Sequence, residues 1–375
     1  MRIAVVSNTA WYLFNFRLNL MQALQAAGHT VMAVAPTDNY SGHIKAAGID
    51  FFGVPISGGG TNPLVELKSV VTLWRLLRRE RIDLVLSYTP KGNLYSSFAS
   101  ISLGVPFVPN VSGLGRAFIR RSLVTLVARL MYRLTFRRAH HVFFQNMDDM
   151  GEFVNSGLVR AEQAERLPGS GVDLTRFTPA LLPARTLDAP VFLLVARMLW
   201  DKGVGEYVEA ARRVRTLYPA ARFQLLGFLD VANPSAISRI QMDAWVAEGV
   251  VEYLLPADDV RPFLIHADCV VLPSYREGVP RTLLEAAATT RPVITTNAPG
   301  CRDTVVDGQT GFLCRVADSQ DLADKLLYFI SMPLDERIAM GQRGRELMEN
   351  NFDEKLVLSR YLALVSELKI QKNNI

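Results

Sequence analysis

The chain alternates, twice over, between short apolar runs and helical patterns, and that alternation restricts its fold more than any other feature. Ile3-Ala4-Val5-Val6 opens the series, a polar turn Ser7-Asn8-Thr9 follows, and a helical pattern then runs to Gly28. Residues 31–34, 51–54, 84–86, 107–108 and 142–144 continue it, separated by helical stretches such as 64–79. A proline-rich stretch, 168–190, interrupts the series. The pattern then restarts at 191–195, 223–226, 250–254, 269–272, 293–295 and 312–313. Strands separated by helices predict parallel α/β sheets. At 375 residues the chain exceeds one ordinary core, so two α/β domains are expected, 1–180 and 181–353. A last helical stretch, 354–375, is placed to pack back on the first. No fixed-period repeat links the halves, so this is duplicated architecture and not a solenoid.

In such sheets ligands lie at the carboxyl ends of strands. The loops 7–17, 87–93 and 110–115 are therefore expected to converge on one crevice. None of the clusters Gly58-Gly59-Gly60, Gly113-Leu114-Gly115 or Gly203-Val204-Gly205 completes G-x-G-x-x-G after a strand, which removes the best marker of a nicotinamide-type fold. Apolar residues make up 49% of the chain and charged residues 21%, an ordinary globular balance. No apolar run reaches the roughly 18 residues that cross a bilayer, and no secretory signal pattern opens the chain. A cytoplasmic location is expected. Cys269, Cys301 and Cys314 lack any C-x-x-C spacing and read as buried thiols. His29, His43, His140, His141 and His266 show no metal-ligand spacing.

Candidate site residues gather after two apolar runs of the second half. The stretch 272–288 reads L-P-S-Y-R-E-G-V-P-R-T-L-L-E-A-A-A. Pro273 ends a buried strand, Pro280 suits a first helical position, and 283–288 are good helix formers. Glu277 thus falls in the loop and Glu285 within the first two helical turns. The helix mouth offers amides to an anion, whereas the two carboxylates suit hydroxyls such as those of ribose and a sugar. A diphosphate between two sugars fits both. Gly278, Val279, Thr282 and Leu283 belong to that donor-binding group. Arg197 and Lys202 flank the loop after 191–195, where a guanidinium fork and a compact ammonium suit a diphosphate. Gly227, ending 223–226, and the loop 230–235 are expected to border the donor.

Pro-Ser before Glu-Gly-Val-Pro, Leu-Glu-Ala after it, and Arg197 followed by Lys202 resemble the signature of the retaining GT-B glycosyltransferases of family 4. G-V-D-L-T-R-F-T-P, with Val172, Asp173, Phe177 and Pro179, and Asp258-Asp259-Val260 before Leu264 extend the resemblance over most of the chain. It implies GT-B architecture, with two facing Rossmann-like domains, parallel sheets and an interdomain cleft. It also implies a nucleotide sugar held mainly by the second domain, with no obligatory metal or other cofactor. Catalysis falls to Arg197, Lys202 and Glu277, with donor binding by Glu285, Gly278, Val279, Thr282, Leu283 and Gly227.

In the first half, S-Y-T-P-K-G-N at 87–93 and N-V-S-G-L-G at 110–115 resemble the subgroup that extends glycans on polyprenyl-diphosphate carriers. Some relatives carry histidine at the position of Pro90 and glutamate at that of Ser112. Acceptor contacts are assigned to Lys91, Asn15, Arg17, Ser112 and Gly113. The resemblance implies transfer of a hexose or N-acetylhexosamine from a UDP sugar to a polyprenyl-diphosphate-linked sugar acceptor, in surface polysaccharide or glycoprotein glycan synthesis. A nucleotide-sugar epimerase and a noncatalytic nucleotide-sugar sensor are the competing readings.

Charge adds a partner. Residues 1–180 hold 19 Lys and Arg against 11 Asp and Glu, while 181–375 hold 22 against 25, within a net +5. Much of the basic excess lies in 116–138, where Arg129, Arg133 and Arg137 recur at four-residue steps beside Leu126, Leu130 and Leu134. An amphipathic, arginine-rich helix suits an anionic membrane surface. No aromatic platform interleaves with it, so no nucleic acid is expected. The enzyme is therefore expected to be peripheral on the inner face of the cell membrane.

Overall fold

The structure, a computed structural model, describes residues 1–56, 62–114, 123–183, 189–231 and 233–373. The Gly58-Gly59-Gly60 cluster, Gly115, residues 116–122 of the basic stretch and Ala232 of the 230–235 loop lie outside the described residues. Two compact units result, one of Met1–Ser170 with Lys355–Ile375, the other of Gly171–Glu354.

The first unit runs β1 (Arg2–Val6), α1 (Ala10–Ala26), β2 (Thr30–Ala35), α2 (Tyr40–Ala46), β3 (Asp50–Gly53), α3 (Pro63–Arg79), β4 (Leu84–Tyr88), α4 (Pro90–Leu103), β5 (Phe107–Val111), α5 (Leu123–Phe136), β6 (Val142–Phe144), α6 (Met147–Asn155) and β7 (Ala164–Arg166). All its strands pair in parallel, in the order β3-β2-β1-β4-β5-β6-β7. Ile3, Val5, Leu84 and Leu86 pack with α1 on one face, and Ala4, Val6 and Val85 enter a second core with α3, α4 and α5 on the other. Burial on both faces is why these strands are apolar throughout and do not alternate. Strand order reverses between β1 and β4, the switch point where such sheets open a crevice.

The second unit runs β8 (Val191–Val195), α7 (Val204–Leu217), β9 (Arg222–Leu226), α8 (Arg239–Ala247), β10 (Glu252–Leu254), α9 (Arg261–His266), β11 (Cys269–Leu272), α10 (Arg281–Ala288), β12 (Val293–Thr296), β13 (Gly311–Cys314), α11 (Ser319–Ser331) and α12 (Leu334–Asn351). Its parallel order is β10-β9-β8-β11-β12-β13, so the reversal falls between β8 and β11. Those two strands carry the candidate donor residues at their carboxyl ends, apart from Gly227, which follows β9.

The division falls at Ser170 and Gly171, ten residues before the expected one. Prolines mark turns, but packing sets the boundary. The Val172 N–H donates to Phe352 O at 2.8 Å and the Glu354 N–H to Val172 O at 3.1 Å, while Phe177 is buried in the second unit. Gly171 has φ +70, and a β-carbon there would lie 2.4 Å from Glu354 Cα, so only glycine fits. The final helix, α13 (Glu354–Asn373), belongs to the first unit from Lys355 onward. Its Val357, Tyr361, Leu364, Val365 and Leu368 join the core formed by β1 and α1.

An ionic clamp holds α13 to β7. Arg360 donates through Nε and Nη2 to the two oxygens of Glu165 at 2.7 and 2.8 Å, and His141 meets the same carboxylate at 2.8 Å. Burial alone would lift the Glu165 carboxyl, but Arg360 and His141 outweigh it and hold the group below the ordinary glutamate range. A carboxyl depressed in the folded state contributes stability that is complete above its unfolded pKa and fades as pH falls through the folded one. Arg360→Met is therefore expected to destabilise the first unit by about 1–2 kcal/mol at pH 7, and by progressively less below about pH 4. Urea unfolding across that range checks it. A difference that stays constant into strong acid would show the clamp to be idle.

Candidate functional site

At the switch point of the second unit, the loops after β8 and β11 are locked by their backbones. Gly203 has φ +72, and a β-carbon on it would lie 2.1 Å from the Pro273 carbonyl oxygen. The Tyr275 N–H donates to Asp201 O at 3.0 Å and the Ser274 hydroxyl to the same oxygen at 3.2 Å. The loop after β12 adds a third wall. Glu277 N–H donates to Pro299 O at 3.0 Å, and a β-carbon on Gly300 would lie 2.3 Å from the carbonyl oxygens of both Glu277 and Gly278. Held this way, Lys202 donates to Glu277 Oε1, and both side chains are largely buried. Arg197 projects from the same strand end, exposed, and no carboxylate of the described residues pairs with it.

The mouth of α10 opens beside this pair. Pro280 is the N-cap, with extended backbone at φ −74 and ψ 106, and lends no side-chain cap. Thr282 Oγ1 donates to Val195 O at 3.2 Å and pins the mouth to the end of β8. The first helical amides have no intrahelical acceptor by construction. Leu283 departs from the expected donor-binding role, since its N–H already donates to Pro280 O at 3.0 Å and its side chain is buried in the core. Glu285 pairs with Arg281 at 2.7 Å, and its side chain is 12% exposed. Burial lifts its carboxyl above the ordinary range, with Arg281 pulling the other way. Gly227, with φ +143, backs onto Ala196, where a β-carbon would meet the carbonyl oxygen at 1.9 Å. Its own carbonyl accepts from Tyr253 at 2.8 Å.

In the first unit, the loops expected to converge are tied together around the β1–β4 switch. Asn8 N–H donates to Thr89 Oγ1 at 3.3 Å, and Asn93 Nδ2 donates to Asn110 O at 2.8 Å. Ser112 and Gly113 follow β5 and are half-buried. Asn15 and Arg17 are not in a loop, because α1 begins at Ala10. Asn15 Nδ2 donates to Trp11 O at 2.9 Å. Arg17 is 1% exposed, with its guanidinium 4.2 Å from the Tyr88 ring centroid and Nη2 donating to Tyr12 Oη at 3.2 Å. That burial contradicts direct acceptor contact by Arg17. The residue lies on the helix face turned to the sheet, where its work is to hold α1 to the end of β4. Lys91, in the first turn of α4, meets Glu66 of α3 at 2.6 Å.

Along α5 and the turn after it the three arginines part company, Arg137 lying just beyond the helix. Arg129 is committed to α6 through Glu152 at 2.8 Å and Ser156 Oγ at 2.6 Å, so it does not share a free face with the others. Arg133 and Arg137 are exposed. Beside them Leu126, Leu130 and Leu134 are 64%, 56% and 57% exposed. Among the described residues no helix is long and apolar enough to cross a membrane, and no group of three or more His, Cys, Asp or Glu gathers as metal ligands would.

The sequence pattern did not disclose Gly300, Glu66 or the ion pair of the Arg281 side chain with Glu285. The N-A-P-G turn at 297–300 follows a strand, and that position alone could have flagged Gly300. Nothing local announces Glu66, whose partner lies on another helix.

Comparison with known proteins matches residues 16–170 to the family described as Glycosyl transferase 4-like domain and residues 189–332 to Glycosyl transferases group 1. The N,N'-diacetylbacillosaminyl-diphospho-undecaprenol alpha-1,3-N-acetylgalactosaminyltransferase of Campylobacter jejuni is 27% identical over 97% of this chain and 98% of its own. The UDP-Gal:alpha-D-GlcNAc-diphosphoundecaprenol alpha-1,3-galactosyltransferase of Escherichia coli is 26% identical over 80% of each chain. Among solved structures, HepE of Anabaena in complex with UDP-glucose superposes with a TM-score of 0.80 at 17% identity, over 98% of this chain and 100% of that one. That likeness concerns the fold. The epimerase and sensor readings find no support in these relatives.

The raised carboxyl of Glu285 yields a stability test. A folded pKa above the unfolded one means the folded chain binds that proton more tightly, so the ionised group weakens the fold at neutral pH and the deficit disappears below the ordinary carboxylate range. Glu285→Gln is expected to melt at or slightly above the wild-type temperature at pH 7, with the gap closing in acid. A melting point several degrees lower would mean that the Arg281 pair outweighs burial.

Proposed function

Since the chain belongs to the GT-B glycosyltransferases of family 4, we propose that it moves a hexose or N-acetylhexosamine, with retention of configuration, from a UDP sugar to a sugar carried on a polyprenyl diphosphate. One observation carries the donor half of this reading. Lys202 and Glu277 meet at the open mouth of α10, with Arg197 projecting from the neighbouring strand end. An ammonium, a guanidinium and the amides of a helix mouth suit a diphosphate, and the two carboxylates suit hydroxyls on either side of it. Glu277 takes hydroxyls of the transferred sugar and Glu285 those of the ribose.

As the bond from sugar to phosphate breaks, negative charge grows on the departing diphosphate. Arg197 and Lys202 stabilise it, together with the amides of Arg281 and Thr282. Loop positions fixed by Gly203 and Gly300 keep those donors in place before reaction, so little reorganisation opposes the step. No protein nucleophile is needed when the acceptor hydroxyl attacks from the face the diphosphate leaves and gives its proton to the leaving phosphate. The names of the Campylobacter and Escherichia relatives, both acting on diphospho-undecaprenol sugars, support the acceptor class. The names do not agree on the sugar transferred.

The exposed leucine row on α5, beside Arg133 and Arg137, supports docking on an anionic membrane surface. Leucines at four-residue steps form one apolar stripe that lipid would cover, and each nearby cation adds on the order of 1 kcal/mol. A lipid-linked acceptor then meets an enzyme held at its own surface.

Two measurements check this account. Incubation with UDP-hexose and UDP-N-acetylhexosamine donors and a polyprenyl-diphosphate N-acetylhexosamine is expected to give a one-sugar mass increase with the donor's anomeric configuration. Arg197→Ala and Glu285→Ala should each slow it roughly 10²–10³-fold at saturating donor. Wild-type rates in either variant, or an inverted linkage, would overturn the assignment. In flotation with anionic vesicles, replacing Leu126, Leu130 and Leu134 by Ser is expected to release the protein, and Arg133→Glu with Arg137→Glu to remove the salt dependence of binding. Undiminished flotation in both variants would end the docking idea.

A further inference from the structure

We infer that Glu66 is a recognition residue for the acceptor, taking a hydrogen bond from a hydroxyl of the acceptor sugar. The inference rests on the function proposed above and adds a residue to it. Glu66 sits in the first turn of α3, with its side chain 20% exposed, and one carboxylate oxygen receives the Lys91 ammonium at 2.6 Å. The other, Oε2, is buried, and nothing among the described residues donates to it. A carboxylate oxygen out of reach of bulk water and without a donor is costly, so the arrangement is complete only when a donor arrives. An ionised carboxylate only accepts hydrogen bonds. It repels phosphate and suits a hydroxyl.

Position identifies which substrate brings that hydroxyl. Both α3 and α4 begin at the carboxyl edge of the first sheet, and α4 follows directly from β4 at the switch point. Lys91 lies in the first turn of α4, two residues after Thr89, whose φ of +66 turns the chain into that helix. The donor residues belong to the other unit, which leaves this edge to the second substrate. Around Glu66 the same helix exposes Leu64 and Leu67, at 78% and 60%. A carboxylate between exposed leucines, with an ammonium against it, matches a molecule that carries hydroxyls, an anionic diphosphate and an isoprenoid chain. Lys91 orients Glu66 through the ion pair, and Glu66 reads the sugar.

Steady-state kinetics with a short-chain lipid-linked acceptor and its set of single-deoxy analogues decides the matter. Glu66→Ala is expected to raise the acceptor KM roughly 10- to 100-fold, the loss of one hydrogen bond to a charged group, with the donor KM unmoved. One deoxy acceptor should show the same rise with wild type and no additional rise with Glu66→Ala. Glu66→Gln, which keeps shape and fold, should fall between the two. An unchanged acceptor KM in Glu66→Ala, or the same penalty against every deoxy analogue with none closing the gap, would overturn the inference by reducing Glu66 to an anchor for Lys91. Failure of the wild type to use any polyprenyl-diphosphate sugar would sink the proposed function and this inference together, whereas normal wild-type transfer with an indifferent Glu66 would sink the inference alone.

Discussion

Backbone contacts that leave no room for a side chain hold the strand ends of the second unit at one height, and the chemistry of the site follows from them. Gly203 lies against the carbonyl of Pro273, Gly227 against that of Ala196, and Gly300 against those of Glu277 and Gly278. In a parallel sheet the connecting loops leave by the same edge, so neighbouring loops compete for space there. Glycine lets them close to backbone distance. With a methyl group at any of these contacts the loops would part, and Lys202 and Glu277, 75 residues apart in sequence, would face water. A pair exposed in that way is worth little. Held together and largely dehydrated, the same two groups form a fixed dipole beside the mouth of α10.

The first unit solves the corresponding problem with a buried cation. Arg17 stands on the α1 face turned to the sheet, its guanidinium over the Tyr88 ring and its Nη2 bonded to Tyr12. Aromatic faces offer partial negative charge without the desolvation cost of a carboxylate, and they let α1 grip the last residue of β4. Thr89 comes next, at φ +66 and ψ 152. A non-glycine residue held there costs of order 1–3 kcal/mol and persists only where its surroundings over-determine it. Here Asn8 donates to its hydroxyl and Asn93 to its carbonyl. The turn that presents Lys91 is therefore held from both sides.

These particulars explain what the sequence disclosed. The buried strands were legible because a parallel strand covered on both faces has no polar position to confuse its apolar run, as in Val191–Val195. β7 went unseen, since Ala164-Glu165-Arg166 at the sheet edge carries no such run and depends on Arg360 and His141, remote in sequence. Glu277 and Glu285 could be placed after a strand and at a helix mouth because Pro273 and Pro280 punctuate the chain there, and Arg197 and Lys202 at a strand end because the apolar run 191–195 stops just before them. Arg17 was assigned to the loop after β1, whereas the helix begins at Ala10 and turns Arg17 to its inner face, which local pattern does not reveal. The commitment of Arg129 to Glu152 was hidden for a similar reason, as its partners lie on α6 and at that helix's C-terminal cap. Local pattern carries architecture well, while the fate of a long polar side chain is settled by residues far away in sequence.

Each unit ends its sheet with a lysine resting on a glutamate, Lys202 on Glu277 and Lys91 on Glu66. On the proposed reading this pairing is also a filter. An isolated phosphate that drew the lysine away would leave a half-buried carboxylate without its cation, and an isolated hydroxyl that engaged the carboxylate would bring nothing for the ammonium. Leaving a buried charged partner unsatisfied costs more than a new hydrogen bond returns. A nucleotide sugar on one unit and a diphosphate-linked sugar on the other both present an anion and a hydroxyl on one molecule, spaced by a few bonds, and so satisfy lysine and glutamate in a single event. Inorganic phosphate and free sugars share the functional groups but not the combination. Discrimination then arises from the penalty on partial ligands and not from extra contacts to the whole one, which is why so few side chains suffice at each sheet edge.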